Sequence, residues 1–302
     1  MGNWVGTSAL AGLSVCFPLS YMMMAFGLMC SAGGSTCFSL FSGQGETRRM
    51  NRAFGNAFVL VCFFEILLSV FLLLLTDPLL QLFGVTDTAY PYAVVYYRIA
   101  ALGCLFQGLS QLFCDFVRVS GKPVLGMCVT GIGAVTNILL DGVFIIVFHW
   151  GVAGAALATV IGQFLSAAFG AFLVLSGRTL VKVSPDIFRL QKRLSGNILS
   201  CGFAFWVAQM AMGFISLVYN SQLGFVMLAT TFFQSINRPV PSVLISLLRQ
   251  VLFLVPFLYL LPLVWQINGI FFAQPISDLL ATLFSLVLVL REQRRMYAKL
   301  PA

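Results

Sequence analysis

Asn137 and Asp141 stand four residues apart in an otherwise apolar run, Asn137-Ile-Leu-Leu-Asp141, so both side chains fall on one face of a helix. After His149, Trp150 and Gly151, which read as a turn, a second apolar run from Val152 to Ser176 carries Thr159. Asp141 and Thr159 each lie nine residues from Trp150 and therefore share a depth in a tight helical hairpin. A carboxylate, a carboxamide and a hydroxyl converging in an apolar slab is chemistry for holding a proton or a small cation. Asn and Thr also bond helices together with no ligand present, and for Asn137 and Thr159 taken singly that alternative stays open.

The rest of the chain must be an all-α, polytopic membrane protein to position these groups. Of its 302 residues, 60% are hydrophobic and only 9% are charged, and mean hydropathy is +0.99. A soluble domain carries about 25% charged residues. Eight cysteines lie scattered through apolar segments without a CxxC spacing and with only one histidine; they read as small apolar helix residues rather than as disulfides or a metal site. The first eight residues carry no basic side chain and nothing resembles a cleavable leader.

Apolar segments run over 9–41, 53–76, 92–117, 124–148, 152–175, 198–219, 225–236, 240–264 and 269–290. A spanning helix needs about 20 residues, so the seventh is short. With all nine counted, one set of loops collects 15 of the 17 Lys and Arg residues, the opposite loops hold none, and Arg98 and Arg249 fall inside helices. Cytoplasmic loops carry the Lys and Arg excess. The expectation is a multi-pass protein of the cell membrane with about nine transmembrane helices, N-terminus out and C-terminus in. The net charge of +8 is then a topology signal and not a nucleic-acid footprint.

The basic loop 177–196 divides the chain into an N-terminal lobe, 1–176, and a C-terminal lobe, 197–302. An internal repeat agrees with two lobes. Arg118-Val-Ser-Gly-Lys-Pro123, an apolar run and Trp150-Gly-Val-Ala-Gly154 recur as Gln234-Ser-Ile-Asn-Arg-Pro239, an apolar run and Trp265-Gln-Ile-Asn-Gly269. Such duplications are usual in secondary transporters, with the site near the interface of the halves.

Glu65, Arg98, Asp115, Asp141, Arg249 and Asp278 fall within the spans, where a charge costs roughly 2.5 to 3.5 kcal/mol at a helix centre. Asp115 precedes Arg118 by three residues, a spacing for pairing along one helix. Asp278 and Arg249 form a possible second-lobe polar site. Glu65 has no partner visible in the sequence. Gly154, Ala158 and Gly162 follow at a spacing of four that suits close helix packing. No paired aspartates, nucleophile with a histidine partner or metal cluster suggests an enzyme. The only cofactor expected is a coupling ion, H+ or Na+.

Several blocks resemble the multidrug and toxic compound extrusion (MATE) family of cation-coupled antiporters. They are Gly2-Asn-Trp-Val-Gly-Thr-Ser-Ala-Leu10, Gly43-Gln-Gly45, Arg118 to Pro123, Asn137 to Asp141, Trp150 to Thr159, Phe233-Gln-Ser-Ile and Ser246-Leu-Leu-Arg-Gln250. The resemblance implies a two-lobe bundle and export of small organic, cationic drugs or toxins by a monomer in exchange for protons or sodium. It assigns Asp141, Asn137 and Thr159 to the cation site of the N-terminal lobe. It also implies an incomplete bundle, without the family's first helix and without about two and a half helices near Tyr219 to Phe225. The alternatives are a lipid-linked oligosaccharide flippase of the related superfamily and an inactive truncated remnant.

Overall fold

A computed structural model describes residues 7–82, 85, 87–235 and 252–297, and every regular element among them is helical. In order these are α1 (Thr7–Gly43), α2 (Thr47–Leu74), the short α3 (Thr76–Leu82), α4 (Tyr90–Val119), α5 (Pro123–Asp141) continued by a π-helical turn (Gly142–Val147), α6 (Gly151–Leu175), a 3-10 turn (Pro185–Phe188), α7 (Lys192–Ser235) and α8 (Leu254–Tyr297). Among the described residues, six stretches are long and apolar enough to cross a membrane: Leu19–Gly43, Thr47–Leu74, Tyr90–Val119, Pro123–Val147, Gly151–Leu175 and Lys192–Ser216.

The chain divides into two compact units, Met1–Ser216 and Leu217–Ala302. In the first, α4 is central and packs against α1, α2, α5 and α6. Its core interleaves Phe38, Phe54, Phe113 and Phe116 with Leu60, Val61 and Ile198. Phe116 meets both Phe38 and Phe54 edge to face, at ring separations of 5.2 and 5.1 Å, the geometry that the aromatic quadrupole favours. The outer face of α2 exposes Phe63, Leu67, Phe71 and Leu74 at helical spacing, which suits contact with lipid chains rather than water.

The basic loop after α6 is tied to α2. Asn51 Oδ1 accepts the Lys182 amide at 2.9 Å. The fully buried Asn56 accepts the Gln191 amide at 2.8 Å and the Ser195 hydroxyl at 3.2 Å, and donates to the Arg189 carbonyl at 3.3 Å. The loop is thus held within the first unit.

In the second unit, Ala229 and Phe233 of α7 pack against Leu288 and Val289 of α8. Segment 198–219 and residues 225–235 of the next lie within the single helix α7, and the break expected at Trp265 to Asn268 is continuous helix in α8. Neither stretch between the segments contains a proline, and one glycine costs a helix only about 1 kcal/mol. Pro262 and Pro275 stand inside α8.

Candidate functional site

The hairpin of α5 and α6 is set by its turn. His149 and Gly151 both take left-handed backbone angles, φ 54 and φ 55, which a glycine adopts without the Cβ clash other residues meet. Phe144, Phe148 and Trp150 stack over the turn at 5.1 to 6.1 Å. Lower down, Gly162 faces Gly133, and a Cβ at Gly162 would lie 2.7 Å from the Gly133 carbonyl oxygen. The two helices therefore approach as closely as backbones can.

That approach brings the polar residues together. Asn137 Nδ2 donates to Thr159 Oγ1 at 3.1 Å, and the Thr159 hydroxyl donates to the Ala155 carbonyl at 2.9 Å. The threonine proton is thereby turned along its own helix, and the Asn137 amide oxygen is left to face other partners. Equal spacing from Trp150 matches Asp141 with Thr159 only if both arms rise as α-helices. A π turn begins immediately after Asp141, and it is Asn137 that meets Thr159. Asp141 follows one turn closer to the loop. Its Oδ1 is buried and has no hydrogen-bond partner, and the Tyr96 phenol of α4 lies beside both Asp141 and Thr159.

A second carboxyl, which no sequence pattern had paired, is buried more deeply. Glu65 of α2 is 1% exposed, and neither of its oxygens has a hydrogen-bond partner of good geometry. It fills a slot opened by two missing side chains. A Cβ at Gly27 of α1 would lie 2.5 Å from Glu65 Oε1, and one at Gly108 of α4 would lie 2.7 Å from Glu65 Cγ. The slot opens on a cavity of about 210 Å³ that Gln107, Gln111, Gln163 and Ser110 also line. The available signal was the pair of glycines on two other helices, which no local spacing connects to Glu65.

Asp115 is 9% exposed and fully engaged. It accepts Ser31 Oγ at 2.9 Å and Gln111 Nε2 at 3.1 Å, and lies 3.6 Å from Arg118. Arg98 pairs with Asp77 at 3.7 Å near the start of α4, where Tyr90 also donates to Asp77 at 2.8 Å. Asp278 is buried on α8 between the buried Ser277 and the Thr282 that donates to its carbonyl at 2.8 Å. Arg249, its expected partner, lies outside the described residues. A separate cavity of about 350 Å³ is wholly apolar; Phe54, Phe58, Phe106, Phe113, Phe164 and Phe188 supply its aromatic walls.

Comparison with known proteins agrees with this architecture. Residues 1–143 match the MatE family model. The multidrug export protein MepA of Staphylococcus saprophyticus is 25% identical over 215 residues, covering 70% of this chain and 47% of MepA. MepA of Staphylococcus aureus is 24% identical over 213 residues, with the same coverage. The chain spans about half the length of the curated relatives it matches. Among solved structures, an inward-facing multidrug resistance MATE family transporter of the MOP superfamily aligns with a TM-score of 0.70 at 16% identity, over 99% of this chain and 94% of that one. The MATE multidrug transporter DinF-BH, solved in complex with R6G, aligns with a TM-score of 0.69 at 21% identity, over 97% of this chain and 89% of that one.

Proposed function

We propose that the chain is a MATE-type secondary active efflux transporter exporting organic cations in exchange for protons or sodium, a reading supported by its match to the MatE family model over residues 1–143 and by its likeness to MepA. The observation that carries the reading is the Asp141 carboxyl, whose buried Oδ1 has no donor, one helical turn from the Asn137–Thr159 bond. A lone ionised carboxylate is costly in an apolar slab, and a proton or cation on it removes that cost. Asp141 is the coupling carboxylate in this reading, and the Asn137 amide oxygen and Thr159 hydroxyl are neutral ligands beside it. Emptying and refilling the site from opposite sides of the membrane is how a gradient would drive export. Asp278, with Arg249, is the candidate polar site of the second lobe. The aromatic walls around Phe106 and Phe164 suit flat organic cations, which bind ring faces.

The test is export of R6G from proteoliposomes holding the full chain, under an imposed proton gradient and separately under a sodium gradient. Export under one gradient and not without it upholds the reading and names the coupling ion. Absence of export under both contradicts it and leaves a chain with a MATE fold that does not transport R6G.

A further inference from the structure

Glu65 lies on a different helix from the Asp141 group, and its surroundings have a composition of their own. Its carboxyl enters the cavity through the slot between Gly27 and Gly108. The remaining polar wall is three carboxamides and a hydroxyl, from Gln107, Gln111, Gln163 and Ser110. Among the described residues, no Lys or Arg lines the cavity. Among the described residues, the titratable groups facing Glu65 from neighbouring helices are the Cys30 thiol of α1 and the Cys104 thiol of α4; α6 contributes the neutral Gln163. One carboxylate among neutral oxygen donors, with no cation to balance it, is a site for a single positive charge.

The walls also provide a way in. Gln107, Gln111, Asp115 and Arg118 follow one another along a single face of α4. Gln111 lines the cavity and donates to Asp115, and Asp115 pairs with Arg118, whose side chain is 51% exposed. A polar stripe thus runs from the cavity to the end of the helix.

We propose that Glu65, with the carboxamides of Gln107, Gln111 and Gln163, forms a second binding site for one small monovalent cation, a proton or sodium, within the first unit and separate from Asp141. The observation behind it is the deep burial of a carboxyl beside neutral carboxamides in a cavity.

Infrared difference spectra of the purified full chain test this directly, because a protonated carboxyl has its own carbonyl stretch. Spectra are compared between acid and alkaline buffer, and between choline chloride and sodium chloride at one pH. The site predicts a protonated-carboxyl band that disappears on one of these changes, is lost from Glu65→Gln and persists in Asp141→Asn. Loss to sodium at fixed pH identifies the metal cation, and loss to alkali alone identifies the proton; both uphold the site. A responsive band unchanged in Glu65→Gln, or no responsive band at all, overturns it. Should Glu65→Gln not fold, reaction of the unmodified chain with a hydrophobic carbodiimide gives the same decision. A Glu65 adduct suppressed about tenfold by alkali or sodium, as expected for competition at one site, supports the site. No adduct, or one indifferent to both, overturns it. Neither readout requires transport, so failure here is distinct from failure of the efflux reading.

Discussion

Asp115 and Glu65 lie in the same unit, both in the spans and both buried, yet their surroundings differ in kind. Asp115 takes hydrogen bonds from Ser31 and Gln111 and sits 3.6 Å from Arg118. Glu65 is less exposed still, and it sits in the slot left by Gly27 and Gly108. A buried carboxylate whose oxygens are engaged holds helices together, whereas one without donors calls for a separate explanation. Asp141, with its unpartnered buried Oδ1, stands with Glu65 on the second side of this division.

Substitutions separate the two classes most clearly through stability. Replacing Asp115 with Leu takes the acceptor from Gln111 and leaves the Ser31 hydroxyl only its longer bond to the Leu28 carbonyl, at 3.3 Å, at about 1 to 3 kcal/mol for a donor left without a partner; a drop in melting temperature of the detergent-solubilised protein reads it. Glu65→Met, unbranched and of similar length, removes a carboxyl that takes no side-chain hydrogen bond, and its melting temperature should hold or rise. Equal losses in the two variants would erase the distinction.

Asn56→Ala removes partners from the Gln191 amide and the Ser195 hydroxyl, at about 2 kcal/mol. Trypsin should then cut faster between Arg178 and Arg193 than in the unmodified chain, and an unchanged cleavage rate would show the loop to be held by other contacts.

Gly108→Ala places a methyl against Glu65 and should cost about 1 to 3 kcal/mol by overpacking. In a Glu65→Ala background most of that cost should vanish, because the clash has lost its partner. Equal costs in both backgrounds would mean that Gly108 serves something other than the Glu65 slot. Asn137→Ala is the mildest of the set, at about 0.6 kcal/mol for a bond between membrane helices, measured as a small shift in the same melting curve.

The hairpin was legible because its determinants are local. Asn137 and Asp141 share a face, and His149-Trp150-Gly151 is a turn because Gly151 accepts a positive φ. The second copy of the repeat, Trp265-Gln-Ile-Asn-Gly269, lacks a glycine directly after its tryptophan, and there α8 continues. Similarity of sequence pattern therefore overstated similarity of structure where a single backbone angle decides. The π turn after Asp141 was not legible, since its residues Gly142–Val147 read as ordinary apolar helix. Asp115 and Arg118 could be paired from their spacing of three. Glu65 could not be placed, because its slot is assembled from α1, α2 and α4, residues 38 and 43 positions away, and only packing brings Gly27 and Gly108 to it. The Asn56 clamp was hidden for the same reason, with partners more than 130 positions along the chain.

The central claim is that Asp141 couples a cation gradient to export, and Asp141→Asn tests it with least change of shape. In proteoliposomes carrying equal amounts of inserted protein, the account predicts that gradient-driven R6G efflux is abolished in Asp141→Asn while membrane insertion is intact. Efflux at the unmodified rate in that variant would contradict it.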